Sequence, residues 1–201
     1  MRAMSAKSVV NISMIYSSTN GARSAEMNVS IAAANTSAAI PKPMKPLAFK
    51  IRPTSFEEVI GQDHIVGKNG VITRMLDSSK LFSMILYGPP GSGKTTVAEI
   101  IATKYEFEHA KFNASTDNKA MLKIIIDAGK NYHSIILIID EIHRMKKDIQ
   151  DYLLKFLEDG SVVMIGLTTL SPYHSINPAI RSRCHILKFN SHSNDNIIIA
   201  L

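Results

Sequence analysis

The sequence predicts an α/β fold, doubly wound around a mainly parallel five-stranded sheet with helices on both faces. Three observations predict it. Apolar runs of strand length alternate with amphipathic stretches of helical period between residues 63 and 189. The run 134–140, SIILIID, stays apolar until its last residue, as a central parallel strand covered on both faces must. The segment 88–95, GPPGSGKT, fits G-x-x-x-x-G-K-[ST], a loop that joins a strand to a helix around a phosphate.

The elements follow in order. Residues 63–77 read as a weak helix. Residues 84–87, MILY, form a short buried strand, and the helix after the loop, 95–105, carries Val97, Ile100 and Ile101 on one face. Residues 107–113 are the second strand. Residues 117–132 form a helix with Met121, Leu122, Ile125 and Ile126 at helical spacing. After the 134–140 strand comes an amphipathic helix, 148–158, stopped by Asp159 and Gly160. A strand over 161–169, a short helix over 176–183 and a last strand over 184–189 complete the sheet. In such a sheet the ligand lies at the strands' C-terminal ends.

The chain has 201 residues, enough for one ordinary domain with a tail. Its apolar content of 45% suits a globular protein, and no apolar run approaches the roughly 20 residues of a membrane span. Cys184 is the single cysteine, which excludes an internal disulfide and argues against structural zinc. His133, His143, His174, His185 and His192 lack metal-like spacing and read as ordinary surface or edge residues.

Half of the net charge of +6 falls in residues 1–43, so the body is only mildly basic. This permits nucleic-acid binding without demanding it. Residues 1–43 are rich in Ser, Ala and Asn and show no apolar period. They read as a disordered extension closed by Pro41 and Pro43. A mitochondrial-type targeting peptide is the alternative, since the first 25 residues carry no acid.

Two motifs carry the chemistry. In the first, Gly88, Pro89, Pro90, Gly91, Ser92 and Gly93 turn the backbone so that its N–H groups face phosphate oxygens. Lys94 supplies a point charge for the β- and γ-phosphates and Thr95 a hydroxyl for Mg²⁺, and Thr96 is counted with them as a nucleotide-binding residue. In the second, about 45 residues downstream, Asp140 and Glu141 end the apolar strand at the rim of the sheet. Asp140 is placed to hold Mg²⁺ and Glu141 to orient or deprotonate an attacking water. The cofactors implied are ATP and Mg²⁺. Arg144, Lys146 and Lys147 follow in a loop, either as contacts to DNA phosphates or as a solvated turn.

GPPGSGKT, IIDE and the triplet Ser182, Arg183, Cys184 together resemble the AAA+ ATPases of the clamp-loader branch. The wording resembles more closely still the replication-associated recombination protein A family, of the Werner-helicase-interacting type. Stretches such as MKPLAFKIRPTSFEEVIGQDHIVG (44–67), IGLTT (165–169) and SPYHSINPAIRSRC (171–184) extend the likeness from residue 44 to about 190. The resemblance implies a nucleotide-binding core over 44–190, with Met44 as a plausible natural start. Ile60, Gly61, Gln62 and Ile65 are similar to the segment that covers adenine. Thr169, or its neighbour Thr168, stands where relatives carry a polar residue that watches the γ-phosphate, although Leu167 and Leu170 replace small or polar residues there. Asn113 matches a residue that holds the catalytic glutamate off. Arg183 matches an arginine finger acting in trans on a neighbouring subunit, with Arg181 as the fallback.

The resemblance further implies a homo-oligomer hydrolysing ATP in the cytoplasm, near the nucleoid. It would act on single-stranded or forked DNA in replication, recombination and repair, beside single-strand-binding protein or replisome components and not at a membrane. The alternatives are a clamp-loader small subunit, a Holliday-junction branch-migration ATPase, or a nucleotide-binding module without turnover. Relatives carry a helical lid after this core; here 191–201 reads as the start of one, largely missing.

Overall fold

A computed structural model describes residues 51–104, 108–130, 134–194 and 196. The extension 1–43, the chain up to residue 50, His133 and most of the expected lid start lie outside the described residues.

A 3₁₀ turn at Phe56–Glu58 leads into α1 (Asp63–Val66), α2 (Val71–Asp77), β1 (Met84–Tyr87) and α3 (Lys94–Lys104). The chain continues through β2 (His109–Asn113), α4 (Lys119–Gly129), β3 (Ile135–Asp140) and a second 3₁₀ turn, Ile142–Arg144. It then forms α5 (Lys147–Glu158), β4 (Val162–Thr168), α6 (Pro172–Ser175), α7 (Pro178–Arg181) and β5 (His185–Lys188). The sheet has the order β2-β3-β4-β1-β5, and every neighbouring pair is parallel.

Side-chain parity assigns the two faces. Met84 and Leu86 of β1, Ile136 and Ile138 of β3, and Ile165 and Leu167 of β4 share one cluster with Ile65, Ile72, Val97 and Ile101. The alternate residues Ile85, Leu137, Ile139 and Met164 are equally buried on the other face. There α4 buries Leu122, Ile125 and Ile126, and α5 buries Ile149, Leu153 and Phe156, each set at helical spacing. Residues Ile135 to Ile139 are all buried, and each such side chain contributes about 1.5–3 kcal/mol. Only Asp140 reaches solvent.

Two elements differ from the sequence reading. The helix expected over 63–77 is two helices, because Gly67 closes α1 with its N–H on Asp63 O and Gly70 precedes α2. The helix expected over 176–183 is preceded by α6, which Pro172 opens, and is itself opened by Pro178 with Asn177 capping it.

The connections leave β1 towards β2 on one side, while β5 lies on its other side. The loop after β1 therefore opens into the crevice where ligands bind such sheets.

Candidate functional site

The loop after β1 has the shape its glycines permit. Gly91 and Gly93 adopt φ of +74° and +91°, and a Cβ at either would meet nothing within 4 Å. Backbone conformation rather than space demands glycine there. The N–H groups of Gly91, Ser92 and Gly93 have no acceptor among the described residues. They stand just before the first turn of α3, where the helix dipole favours an anion. A cavity of about 220 Å³ is lined by these residues with Lys94, Thr95, Thr96 and Arg52. Pro89 and Pro90 are exposed on the outer side of the loop, and Gly88 is buried against Phe189.

The Lys94 ammonium lies within the loop. It donates to Gly88 O at 2.9 Å, Pro89 O at 2.7 Å and Ser92 Oγ at 3.3 Å. Burial holds its pKa below the usual lysine range, while the carboxylates of Glu141 and Asp140 oppose that shift. Arg52 donates through Nε to Thr96 Oγ1 at 3.1 Å and pairs with Glu99 at 2.6 Å. A larger cavity, about 640 Å³, lies beside Arg52 and contains no residue of the loop; Lys111 and Arg52 close on Glu99 there.

Asp140 is exposed at the tip of β3 and accepts the Glu141 N–H through Oδ1 at 3.0 Å. Glu141 adopts φ 51° and ψ 42°, left-handed for a non-glycine residue. That conformation costs of order 1–3 kcal/mol and persists where surrounding structure imposes it. The 3₁₀ turn that follows packs on β4 so closely that a Cβ on Gly166 would lie 2.8 Å from Ile142 Cδ1. This seats His143 beside the end of β4. Its Nδ1 is 2.9 Å from Thr168 Oγ1 and 3.3 Å from Glu141 Oε2. His143, read from sequence as an ordinary edge residue, is therefore part of the site; a lone histidine gave no spacing signal that would have found it. Thr168 is buried and also accepts the Leu170 N–H at 3.0 Å, whereas Thr169 is exposed just beyond the strand.

The donors for Mg²⁺ would be oxygens, as that ion requires: the Thr95 hydroxyl and the Asp140 carboxylate, completed by phosphate oxygens and water. Among the described residues no group of three or more His, Cys, Asp or Glu residues forms a self-sufficient metal site.

The remaining candidates are more scattered. Asn113 pairs with Asp140 in the β2–β3 register, but its Oδ1 accepts the Ser115 N–H at 2.9 Å, and no Asn113–Glu141 hydrogen bond occurs among the described residues. Ile65 is in the core and Ile60 is half-buried beside Gly61. Gln62 is fully buried; its Nε2 donates to Asn190 O at 2.9 Å and its Oε1 accepts the Asn190 N–H at 3.1 Å. The same Nε2 lies 3.4 Å from Ser92 O, so the amide joins the loop after β1 to the chain leaving β5. Arg183 is exposed, donates to Ala179 O at 2.7 Å and pairs with Glu158 of its own chain. Arg181 turns to Ile176 O and the Tyr173 ring. Arg144, Lys146 and Lys147 are exposed around the turn into α5.

The family model for the ATPase family associated with various cellular activities (AAA) matches residues 84–191. Replication-associated recombination protein A of Bacillus subtilis is 49% identical over 145 residues, 72% of this chain and 34% of that protein. The protein of the same name from Haemophilus influenzae is 40% identical over 149 residues, 71% of this chain and 33% of that one. Among solved structures, the Holliday junction branch migration motor RuvB of Thermotoga maritima matches with a TM-score of 0.64 and 26% identity, over 75% of this chain and 52% of that one. The chain spans about a third of the length of these two curated relatives.

Proposed function

The chain belongs to the AAA family of ATPases, and from that premise we propose that it binds ATP with Mg²⁺ and hydrolyses it at an interface between copies of itself, in the service of DNA replication, recombination and repair. The observation that carries the reading is that three charges lie at the C-terminal end of one parallel sheet: Lys94 in the loop after β1, and Asp140 and Glu141 at the tip of β3.

The chemistry follows from that placement. The free N–H groups of Gly91, Ser92 and Gly93 hold phosphate oxygens in a fixed position, and Lys94 leaves its carbonyl partners to meet the β- and γ-phosphates. Thr95 and Asp140 would hold Mg²⁺, which would supply positive charge against the phosphates. Glu141 accepts a proton from water as the water oxygen bonds to the γ-phosphorus and the bond to the β–γ bridging oxygen breaks. ADP carries away the electrons of that bond. Thr168, the last residue of β4, or Thr169 just beyond it would hold a γ-phosphate oxygen. Arg183 swings from Glu158 to stabilise charge in the neighbouring subunit; such a finger is worth about 10³–10⁵ in rate. Asn113 would restrain Glu141 in another state of the site, and Asn113→Ala should then change basal or DNA-stimulated turnover.

DNA, single-stranded or forked, is the proposed effector, contacted through phosphates by exposed cations such as Arg144, Lys146 and Lys147. The cytoplasm near the nucleoid is the proposed setting, with single-strand-binding protein or replisome components as neighbours. A branch-migration role is the second reading, favoured by the likeness to the RuvB motor. Binding without turnover is the third outcome that the test below distinguishes.

Phosphate release measured with and without forked DNA, Holliday junctions and no DNA separates these readings. Turnover that rises with forked DNA and vanishes in Lys94→Ala and Glu141→Gln is the expected result. Stimulation by junctions alone selects the branch-migration role, and bound ATP without phosphate release at high protein concentration overturns the hydrolytic reading.

A further inference from the structure

We propose that His143 is a positioning residue: its imidazole holds the Glu141 carboxylate and ties it to Thr168 at the end of β4. The proposal rests on the ATPase reading and deepens it, because it names what sets the base in this state of the site.

Three observations carry it. Glu141 sits in a left-handed conformation that a non-glycine residue keeps only when its surroundings impose it. The Asn113 side chain, which the family resemblance assigns to holding Glu141, is occupied with Ser115 instead. Among the described residues, His143 approaches the Glu141 carboxylate, at 3.3 Å, and the same nitrogen lies 2.9 Å from Thr168 Oγ1.

The hydrogen-bond arithmetic selects one arrangement. Thr168 Oγ1 already accepts from Leu170 N–H, and its own proton has the Leu170 carbonyl at 3.4 Å as an outlet. With its proton on Nδ1, His143 donates between Thr168 Oγ1 and the Glu141 carboxylate, and every partner is satisfied. With Nδ1 bare, Thr168 could donate to it, but the carboxylate would face a lone pair at the same distance.

The 3₁₀ turn that carries His143 is built for this placement. Ile142 is fully buried over Gly166, and Arg144 N–H bonds Glu141 O at 2.8 Å, so His143 has a fixed backbone on which to stand. A movement of Thr168 towards a γ-phosphate therefore passes through one imidazole to the carboxylate that must receive the proton. His143 touches neither phosphate nor water in this scheme; it acts through Glu141.

The test uses this chain with His143→Ala, His143→Asn and Thr168→Val. Turnover and nucleotide affinity are measured together with the ¹⁵N signals of the His143 ring. The proposal expects His143→Ala to lower kcat about tenfold or more while affinity for a non-hydrolysable ATP analogue stays within about twofold. It expects His143→Asn, which keeps a donor near the Nδ1 position, to recover most of the loss. It expects the ring proton on Nδ1, with signals that move in Glu141→Gln and in Thr168→Val. Turnover unchanged in His143→Ala, or turnover and affinity falling together, overturns the role. If the unaltered chain releases no phosphate, the hydrolytic reading fails on its own, and the ring signals still decide: a proton on Nε2, indifferent to Glu141→Gln, overturns the proposal.

Discussion

Lys94 commits its ammonium to two loop carbonyls and the Ser92 hydroxyl, so the cation is stored within the loop it serves. Lys94→Ala should weaken ATP binding roughly 10–100-fold, the usual value of hydrogen bonds to a charged group, with little change in unfolding temperature; titration calorimetry beside a melting curve checks both. Cys184 makes a prediction of the opposite kind. Burial pushes its thiol from 9.0 up to about 12, so the folded chain keeps the proton where the unfolded chain loses it. Stability should therefore decline as pH rises above 9.0 towards 12, and the thiol should resist alkylation near neutral pH until the chain is unfolded. Mass spectrometry after timed alkylation reads the second outcome. The residues of the loop and the pair Asp140, Glu141 were legible because a fixed spacing of unlike residues serves one chemistry. His143 was not, since a single histidine after a strand looks the same whether it faces water or a carboxylate. The choice between Thr168 and Thr169 turned on where β4 ends, which a run of apolar residues marks only to within a residue or two.

The elements that position the site depend on close approaches. Gly166→Val would push Ile142 off β4 and displace the 3₁₀ turn, costing about 1–3 kcal/mol by overpacking. Turnover should fall further than nucleotide affinity does, and adding Ile142→Val, which removes the Cδ1 in contact, should restore part of both losses; the four proteins form a double-mutant cycle. Asn118 caps α4 by accepting the Met121 N–H at 3.0 Å, and Asn118→Ala should cost about 1 kcal/mol in denaturant unfolding with the site untouched. The strands and the helices α3, α4 and α5 were legible from period and length. The break between α1 and α2 was less so, because the apolar residues on either side keep a helical rhythm across Gly67 and Gly70. The 3₁₀ turn after β3 left no periodic trace, and it is the element that brings His143 to the site.

At the scale of the molecule, β1, β3 and β4 are neighbours and parallel, so their C-terminal ends lie together and residues far apart in sequence share one crevice. Gln62 ties the segment before α1 to Asn190 beyond β5. The Arg183–Glu158 pair is exposed and worth about 0–1 kcal/mol, so it gives little resistance to a partner that offers a triphosphate. If Arg183 acts in trans, mixing inactive Arg183→Ala with inactive Glu141→Gln should restore activity, because some interfaces then combine an intact Glu141 with an intact Arg183; a mixture as inactive as its parts would count against trans action. The sheet and the crevice at its strands' C-terminal ends were legible from the alternation of elements, whereas the link through Gln62 was not, since it joins residues 128 positions apart. The central claim, that one site binds ATP through Lys94 and cleaves it through Glu141, is tested most directly by identifying the nucleotide that remains bound after incubation with ATP and Mg²⁺. The account predicts ADP on the unaltered chain, intact ATP on Glu141→Gln and far less bound nucleotide on Lys94→Ala. ADP appearing on Glu141→Gln at the rate of the unaltered chain would contradict it.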